Sequence, residues 1–227
     1  MTVPVKSKRC KAVLFDLDGT LVDSLEDLAG SMNAVLEKCG YETHELRAYR
    51  RFIGDGMITL VRRALPAEVV KNDRIVNSCL EAVSAEYSRN WSCKTKPYPG
   101  IKKLLHSLVE TGIRTAVLSN KPDSLTQLVV TELFSAKTFD IIRGHRDGIP
   151  KKPNPASTLG IVNCLSVEPF ECLFVGDTDT DMITASRAGI YGVGATWGFR
   201  QPDELIANGA KTLIDQPEQL LNLIDHY

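Results

Sequence analysis

Five short apolar runs constrain what this chain can fold into more than any other feature of its sequence. They are residues 13–15, 115–118, 140–142, 172–175 and 190–193. The runs are rich in branched and aromatic side chains and lack a regular alternation of apolar and polar residues. Such runs are typical of strands that are buried on both faces of a sheet. The sequence therefore predicts a central sheet that is covered by other elements on both sides.

Helical patterns lie between the predicted strands and indicate how the strands are connected. Four of them span residues 100–111, 123–134, 156–165 and 179–188, and Gly189 is placed to end the last one. A strand followed by a helix and then another strand gives parallel pairing with helices on both faces of the sheet. We therefore expect an α/β fold with a doubly wound parallel sheet.

Residues 24–91 depart from this alternation because they contain no convincing strand. Ser24 and Asp27 have the spacing of a capping box, and apolar residues then recur at helical spacing. Two further helices are predicted over residues 57–65 and 68–89. We expect an α-helical cap domain at residues 23–96, inserted into an α/β core. The core would consist of residues 1–22 and 97–227.

The composition and the cysteine pattern argue against several kinds of partner and site. Of the 227 residues, 43% are hydrophobic and 24% are charged, and the formal net charge is -1. This balance gives no reason to expect nucleic acid or a membrane surface as a partner. The six cysteines form no CxxC pair, which argues against a zinc site or a redox motif. We expect a cytoplasmic monomer or homodimer with free thiols, no signal sequence and no membrane span.

Asp16 and Asp18 directly follow the first predicted strand. Side chains two residues apart in an extended chain point the same way, and ligands of open α/β sheets lie beyond the carboxyl ends of strands. Two carboxylates that face one space raise a pKa or attract a cation. One can attack phosphorus, while the other protonates the leaving oxygen and then activates water. Gly19 and Thr20 would supply a tight turn and hydrogen-bond donors. The alternative for Asp-x-Asp alone is an ordinary strand end followed by an Asp-Gly turn.

Four segments resemble, in order, the motifs of the haloacid dehalogenase superfamily, and in particular its phosphatase branch. FDLDGTLVDS resembles the first motif, and VLSN, which ends at Asn120, resembles the second. KKPNP, in which Lys152 directly precedes the proline, resembles the third, and FVGDTDTD, which ends at Asp181, resembles the fourth. The resemblance covers essentially the whole chain. It implies a Rossmann-like core with an inserted helical cap.

The resemblance also implies catalytic roles. It makes Asp16 the nucleophile and Asp18 the general acid and then the general base. Ser119 and Lys152 would hold the phosphoryl group, with Asn120 beside them.

A metal centre at the same place is implied as well. Its ligands would be the Asp16 carboxylate, the Asp18 backbone carbonyl and Asp177. Asp181 lies one helical turn beyond Asp177 and would either reach the same metal or hold Lys152. Oxygen ligands without any His or Cys indicate Mg²⁺.

Gly54 and Gly56 bracket Asp55 between two predicted helices. Glycines on both sides of a loop residue favour a close approach of the backbone to a ligand, and the alternative is a plain helix–helix connection. The stretch is similar to the cap sequence of phosphoglycolate phosphatases, where Trp-Ile-Gly-Asn-Gly is usual; Phe52 and Asp55 are the departures. We expect this loop to contact substrate. The charge of Asp55 would oppose a carboxylate on the substrate unless a nearby arginine compensates. The candidates are Arg50, Arg51, Arg62 and Arg63.

These observations predict a magnesium-dependent phosphomonoester hydrolase. It would act on a small phosphorylated metabolite through an aspartyl-phosphate, as phosphoglycolate phosphatases do. Alternatives on the same fold are a pyrophosphatase, a nucleotidase, a sugar-phosphate phosphatase or a phosphomutase. A more distant alternative is a non-catalytic binding module, which would have lost an acidic or lysine position of the motifs. All of those positions are present.

Overall fold

A computed structural model describes residues 10–135 and 137–226 of the chain. The predicted core segments start at residue 1 and end at residue 227, so both of these ends lie outside the described residues. Eight strands occur in the described part. They are β1 (Ala12–Phe15), β2 (Val22–Asp23), β3 (Lys96–Pro97), β4 (Arg114–Pro122), β5 (Ile141–His145), β6 (Cys172–Gly176), β7 (Tyr191–Ala195) and β8 (Thr212–Ile214).

Six of these strands form one parallel sheet in the order β5-β4-β1-β6-β7-β8. β1 lies in the middle of it, with Phe15 level with Val117 of β4 and with Val175 of β6. The five predicted strands are confirmed, although β4 and β5 continue further than expected. The edge strand β8, in which two of the three residues are only partly buried, was not predicted. The α/β fold with a parallel sheet is therefore confirmed.

Both faces of the sheet are buried. In β1, Val13 and Phe15 pack into one hydrophobic cluster, and Ala12 and Leu14 pack into a second one. Since successive side chains of a strand point to opposite faces, a strand covered on both sides needs apolar residues at every position. The double burial thus explains why the strand sequences show no polar alternation.

Ten α-helices surround or follow these strands within the described residues. They are α1 (Leu25–Lys38), α2 (Leu46–Phe52), α3 (Met57–Ala64), α4 (Asp73–Asn90), α5 (Ile101–Glu110), α6 (Asp123–Leu133), α7 (Ala156–Cys164), α8 (Asp179–Ala188), α9 (Pro202–Ala207) and α10 (Gln219–His226). None of the helices in this part of the chain combines the length and the apolar character needed to span a bilayer.

Helices α1 to α4 all lie between β2 and β3, so the region after the first strand is helical as expected. We call residues 23–96 the helical insertion; its status as a separate domain with these boundaries stays a prediction. The hydrophobic cluster on one face of the sheet continues into it, through residues such as Met32 and Tyr49. The insertion is therefore packed against the core.

The helix predicted over residues 68–89 is divided in the structure. A short 3-10 helix at Val69–Lys71 comes first, and α4 starts only after Asn72. The side chain of Asn72 accepts hydrogen bonds from the backbone N–H groups of Arg74 and Ile75. An asparagine in this position begins a new helix, because it satisfies N–H groups that have no partner in the helix itself.

The capping box predicted at Ser24 is not formed. The Ser24 side chain makes no hydrogen bond to the backbone of the first turn of α1. The Ser24 hydroxyl instead donates to Asp18 Oδ1 at 2.6 Å. Asp27 is also engaged elsewhere: its carboxylate accepts hydrogen bonds from the backbone N–H groups of Lys94 and Thr95 and from the Thr95 hydroxyl. Asp27 thereby fixes the segment that leads out of the helical insertion.

β2 and β3 form a separate antiparallel pair in which Val22 is level with Pro97. The first of these strands leads into the helical insertion and the second leads out of it. The chain therefore enters and leaves the insertion at neighbouring points.

Candidate active site

The candidate active site lies where three neighbouring strands of the sheet end. Asp16 follows β1, Ser119 lies in the last part of β4, and Asp177 follows β6. Because the carboxyl ends of parallel strands share one edge of the sheet, distant segments of the chain meet there. The loop before α7 adds Lys152, and the first turn of α8 adds Asp181.

Lys152 lies between two carboxylates. Its Nζ donates to Asp16 Oδ1 at 2.6 Å and to Asp181 Oδ1 at 2.7 Å, and its side chain is only 2% exposed. The second oxygen of Asp181 accepts hydrogen bonds from the N–H and the hydroxyl of Thr178, at the start of α8. Asp181 therefore holds Lys152, which is one of the two roles expected of it. Of the two adjacent lysines, Lys152 is the buried one, and Lys151 is partly exposed.

Without a metal ion, burial is the largest influence on the pKa values of the carboxylates in this cluster. It raises the pKa of Asp16 well above its ordinary value; Asp181 and Asp177 act in the same direction, and Lys152 opposes them. Burial and the nearby Asp181 also raise the pKa of Asp177 to about 7. Burial lowers the pKa of Lys152, but the carboxylates of Asp16 and Asp181 outweigh it and raise that pKa above its usual value. The site thus contains a charged ammonium and more buried carboxylates than this ammonium can neutralise.

Asp177 completes a group of three buried carboxylates. One oxygen atom from each of Asp16, Asp177 and Asp181 lies within 4.8 Å of the others. Asp177 is held by the Thr20 hydroxyl on Oδ1 and by the Phe199 N–H on Oδ2, both at 2.8 Å. Carboxylate oxygens are the ligands that hard divalent cations prefer, so this cluster suits such a cation.

Thr20 has a different partner from the expected one. Its side chain is fully buried, and its hydroxyl is committed to Asp177 instead of pointing at a transferred phosphoryl oxygen. Gly19 packs directly against the carboxylate of Asp177. Both residues therefore support the metal-ligand candidate.

Asp18 lies close to the cluster but has its own cation. Lys121 Nζ donates to Asp18 Oδ1 at 2.7 Å and to Oδ2 at 3.0 Å, and Ser24 donates to Oδ1. Sequence reasoning missed Lys121. The available signal was its place two residues after Ser119 in β4, which in an extended strand puts both side chains on the same side.

Ser119 and Asn120 are both buried at the end of β4. The Ser119 hydroxyl accepts a hydrogen bond from the backbone N–H of Lys121 at 3.1 Å. The Asn120 side chain accepts from the backbone N–H of Lys152 at 2.9 Å and donates to the carbonyl groups of Lys152 and Gly54. Asn120 therefore connects the loop that carries Lys152 with the helical insertion, and its amide is used by backbone groups.

The loop Gly54–Asp55–Gly56 contacts the core, but the partners of the Asp55 carboxylate lie outside the carboxylate cluster. Asp55 accepts a hydrogen bond from the Thr180 hydroxyl at 2.7 Å and forms an ion pair with Arg63 at 2.6 Å. Burial raises the pKa of Asp55, but these partners outweigh it, so the net pKa is below its ordinary value. Of the four candidate arginines, Arg63 is thus the one that compensates its charge, and Arg200 of the core acts in the same direction.

Gly56 also lies close to β4. A Cβ built on Gly56 would lie 3.0 Å from the backbone oxygen of Asn120. Thr180, the core partner of Asp55, was not singled out from the sequence, because a threonine on a helix carries no signal for a distant contact.

A small cavity of about 30 Å³ lies between the carboxylates of Asp16 and Asp18 and the helical insertion. The core contributes Asp16 and Asp18 to its lining, together with Ser119, Asn120 and Lys121. The insertion contributes apolar side chains, namely Leu28, Ile53, Met57 and Leu60, and the two loop glycines. Among the described residues that line the cavity, Asp55 does not occur. The wall opposite the carboxylates is therefore mainly apolar.

Comparison with known proteins supports these observations. The family model described as haloacid dehalogenase-like hydrolase matches residues 13–195. A phosphoglycolate phosphatase from Aquifex aeolicus is 34% identical over 217 residues, which are 96% of this chain and 98% of that protein. Phosphoglycolate phosphatase 1 from Pseudomonas aeruginosa is 32% identical over 219 residues, which are 95% of this chain and 80% of that protein.

The fold has close counterparts among solved structures. The crystal structure of a predicted phosphoglycolate phosphatase from Haemophilus somnus superimposes with a TM-score of 0.87 at 27% sequence identity. The match covers 94% of this chain and 97% of that one. The similarity therefore includes both the sheet and the helices between β2 and β3.

Proposed function

The chain belongs to the haloacid dehalogenase-like hydrolases, and on this basis we propose that it is a magnesium-dependent phosphatase of small phosphorylated metabolites. The observation that carries the proposal is the buried group of Asp16, Asp177 and Asp181 with the Lys152 ammonium between two of its members. Because relatives that match nearly the whole chain are phosphoglycolate phosphatases, we propose a substrate of that kind, with a compact leaving group.

The residues present fit a divalent cation. Three carboxylates are buried together, burial raises the pKa of Asp16 and of Asp177, and the Lys152 ammonium alone does not balance their charge. Asp16 and Asp177 would hold the ion, with the Asp18 backbone carbonyl as a further ligand. Once bound, Mg²⁺ would offset the negative charge of the phosphoryl group and so let an anionic nucleophile approach it.

The proposed reaction uses the two aspartates of the first motif in turn. The Asp16 carboxylate attacks phosphorus, the bond to the leaving oxygen breaks, and an aspartyl-phosphate forms. Asp18 gives a proton to the leaving oxygen and later takes one from the water that hydrolyses the aspartyl-phosphate. Lys152 and Ser119 lie where they would stabilise charge on the phosphoryl oxygens.

The helical insertion has the position of a cover over this site. Its apolar side chains face the carboxylates across the small cavity. A water-poor site strengthens the electrostatic interactions that hold the phosphoryl group and protects the aspartyl-phosphate from unselective hydrolysis. The small, apolar-walled space supports a compact leaving group over a nucleotide.

Asp16→Asn is the direct test. The amide keeps the size of the side chain but is a much weaker nucleophile. We expect phosphate release from p-nitrophenyl phosphate in Mg²⁺ to fall to background, because no aspartyl-phosphate can form. The matched control is Asp215→Asn, which changes an exposed aspartate and should keep full activity. Retained activity of Asp16→Asn would overturn the proposal.

A panel of substrates separates the alternatives on the same fold. Phosphate release from phosphoglycolate, pyrophosphate, nucleoside monophosphates and hexose phosphates is compared at equal concentration. We expect the highest kcat/KM for the compact monoester, and a preference for pyrophosphate or nucleotides would favour the corresponding alternative. We further propose a cytoplasmic location and a monomeric or homodimeric state, of which size-exclusion chromatography tests the second.

A further inference from the structure

Asp18, the proposed proton donor, is held by a buried lysine that the mechanism above does not use. The side chain of Lys121 is 3% exposed and that of Asp18 is 11% exposed. The Lys121 ammonium donates to both carboxylate oxygens, at 2.7 and 3.0 Å. Charge-assisted hydrogen bonds to both oxygens fix the plane of a carboxylate as well as its position. The orientation of Asp18 therefore depends on Lys121.

The third hydrogen bond of the Lys121 ammonium goes to a residue of the helical insertion. Lys121 Nζ donates to Tyr87 Oη at 2.9 Å. Tyr87 lies on α4 and is fully buried. An ammonium group has three protons, and the two oxygens of Asp18 and the hydroxyl of Tyr87 account for all of them. Lys121 thus joins the catalytic carboxylate directly to the insertion.

The two lysines of the site differ in this respect. Lys152 contacts Asp16 and Asp181, which both belong to the core. Lys121 contacts Asp18 in the core and Tyr87 in the insertion. The ammonium that contacts the nucleophile therefore has its hydrogen-bond partners in the core, whereas the ammonium that contacts the acid–base residue also bonds α4.

We propose that Lys121 and Tyr87 are positioning residues for Asp18, so that proton transfer to the leaving group works fully only while α4 is packed against the core. Lys121 holds both oxygens of the carboxylate, and Tyr87 holds Lys121. This inference rests on the proposed function, in which Asp18 protonates the leaving oxygen.

Two phosphate esters with different leaving groups distinguish positioning of Asp18 from a general loss of structure. p-Nitrophenolate leaves readily without a proton, whereas an alkoxide does not. Loss of general acid catalysis should therefore slow an alkyl phosphate much more than p-nitrophenyl phosphate. The alkyl ester used is the compact monoester that the wild-type protein hydrolyses fastest in the substrate panel.

The informative variants are Lys121→Met and Tyr87→Phe. For Lys121→Met we expect kcat/KM for the alkyl ester to fall at least about tenfold more than for p-nitrophenyl phosphate. Tyr87→Phe should show a smaller difference in the same direction. Since Tyr87 acts through Lys121, the double variant should match Lys121→Met alone, and such non-additivity is expected of residues in one network. Asp18→Asn serves as the reference for complete loss of the acid.

The matched control is Tyr49→Phe. Tyr49 is also fully buried in the helical insertion, and its hydroxyl donates to Asn33 at 2.6 Å, away from Asp18. We expect Tyr49→Phe to leave the ratio of the two kcat/KM values unchanged. Circular dichroism shows whether Lys121→Met folds. If it does not, the test is whether Tyr87→Phe changes the ratio of the two kcat/KM values while Tyr49→Phe does not.

Failure of this inference is distinguishable from failure of the proposed function. Equal losses on both esters for Lys121→Met and Tyr87→Phe, with a selective loss for Asp18→Asn, would overturn the inference and leave the function intact. The absence of phosphate release from either ester by the wild-type protein would overturn the function itself.

Discussion

At the scale of single residues, the side chain of Asp177 is closely confined by two glycines. A Cβ built on Gly19 or on Gly198 would lie 2.3 Å from an atom of the Asp177 side chain, which is closer than real Cβ contacts. Gly19 also has a φ of +93°, in the region that favours glycine. The glycine of the first motif therefore makes room for a residue of the fourth, in addition to forming a turn.

Gly19→Ala should displace the carboxylate of Asp177 and weaken magnesium binding. We expect the Mg²⁺ concentration for half-maximal activity to rise at least about tenfold, or about 1.4 kcal/mol in binding free energy. A magnesium titration of p-nitrophenyl phosphate hydrolysis measures it.

Gly112→Ala is the control for backbone strain alone. Gly112 has a φ of +74°, and a Cβ at this position would meet no atom within 4 Å. This variant should lose about 1 kcal/mol of stability and keep its magnesium requirement. A similar change in both variants would show that strain, and not contact with Asp177, is responsible.

The residues of the site were predictable where the backbone alone determines their place. Asp16, Ser119 and Asp177 follow or end buried strands, so a parallel sheet brings them together. Their side-chain partners were not predictable in the same way. The Thr20 hydroxyl donates to Asp177, and the Thr180 hydroxyl donates to Asp55. Both contacts depend on how the helical insertion and the loops pack.

At the scale of secondary-structure elements, the C-terminal end of α2 is held by the core. The guanidinium of Arg200, which follows β7, donates to the backbone oxygen of Arg50 and to that of Ile53 at 3.0 Å. Arg50 in turn donates to the Gly198 oxygen at 2.9 Å. The last carbonyl groups of a helix have no hydrogen-bond donor within the helix. Here a buried arginine donates to them in place of water. Arg200 therefore anchors the helical insertion beside the active site.

Arg200→Met should loosen this anchor. We expect the free energy of unfolding to fall by about 2–3 kcal/mol, since buried carbonyl groups lose charged hydrogen-bond donors. Relative to the wild-type protein, the substitution should accelerate amide hydrogen exchange in α2 more than in α5. Chemical denaturation and exchange mass spectrometry measure the two effects.

Arg89→Met provides the comparison for an exposed arginine. Arg89 pairs with Glu86 on the surface of α4, and its side chain is 64% exposed. An exposed ion pair contributes at most about 1 kcal/mol. Equal destabilisation by the two substitutions would contradict the anchoring role of Arg200.

The elements themselves were predictable to different degrees. The five core strands and the helices between them carry clear apolar patterns, and all were found. Helices α2 and α9 were missed, because six or seven residues give too few turns for a periodic pattern. Strand β8 and helix α10 were also not predicted. The break before α4 depends on the single side chain of Asn72, which a search for apolar periodicity does not weigh.

At the scale of the whole molecule, the buried carboxylates couple stability to pH and to metal. Their raised pKa values mean that the folded protein binds more protons than the unfolded chain, whose aspartates titrate near about 3.9. In the absence of metal, the contribution of these groups to stability therefore increases as the pH falls through about 7, the value for Asp177. A bound cation favours the ionised carboxylates and competes with these protons.

We therefore expect Mg²⁺ to raise the melting temperature more at pH 8 than at pH 5.5. At a hundredfold excess over its dissociation constant, a ligand of the folded state adds about 2.7 kcal/mol, which corresponds to several degrees for a chain of this size. Differential scanning fluorimetry with Mg²⁺ or with EDTA at both pH values measures it. Asp177→Asn should reduce the shift at pH 8, and an equal shift at both pH values in the wild-type protein would refute the coupling.

The antiparallel pairing of Val22 with Pro97 has a consequence for how such a molecule can be rebuilt. Removing everything between these two residues would leave both cut ends side by side, so a short link could rejoin them without stretching the sheet. Exchange for a foreign segment would thus leave the order of the sheet strands unchanged. It would also remove Tyr87, so a replacement would have to bring its own acceptor for the Lys121 ammonium.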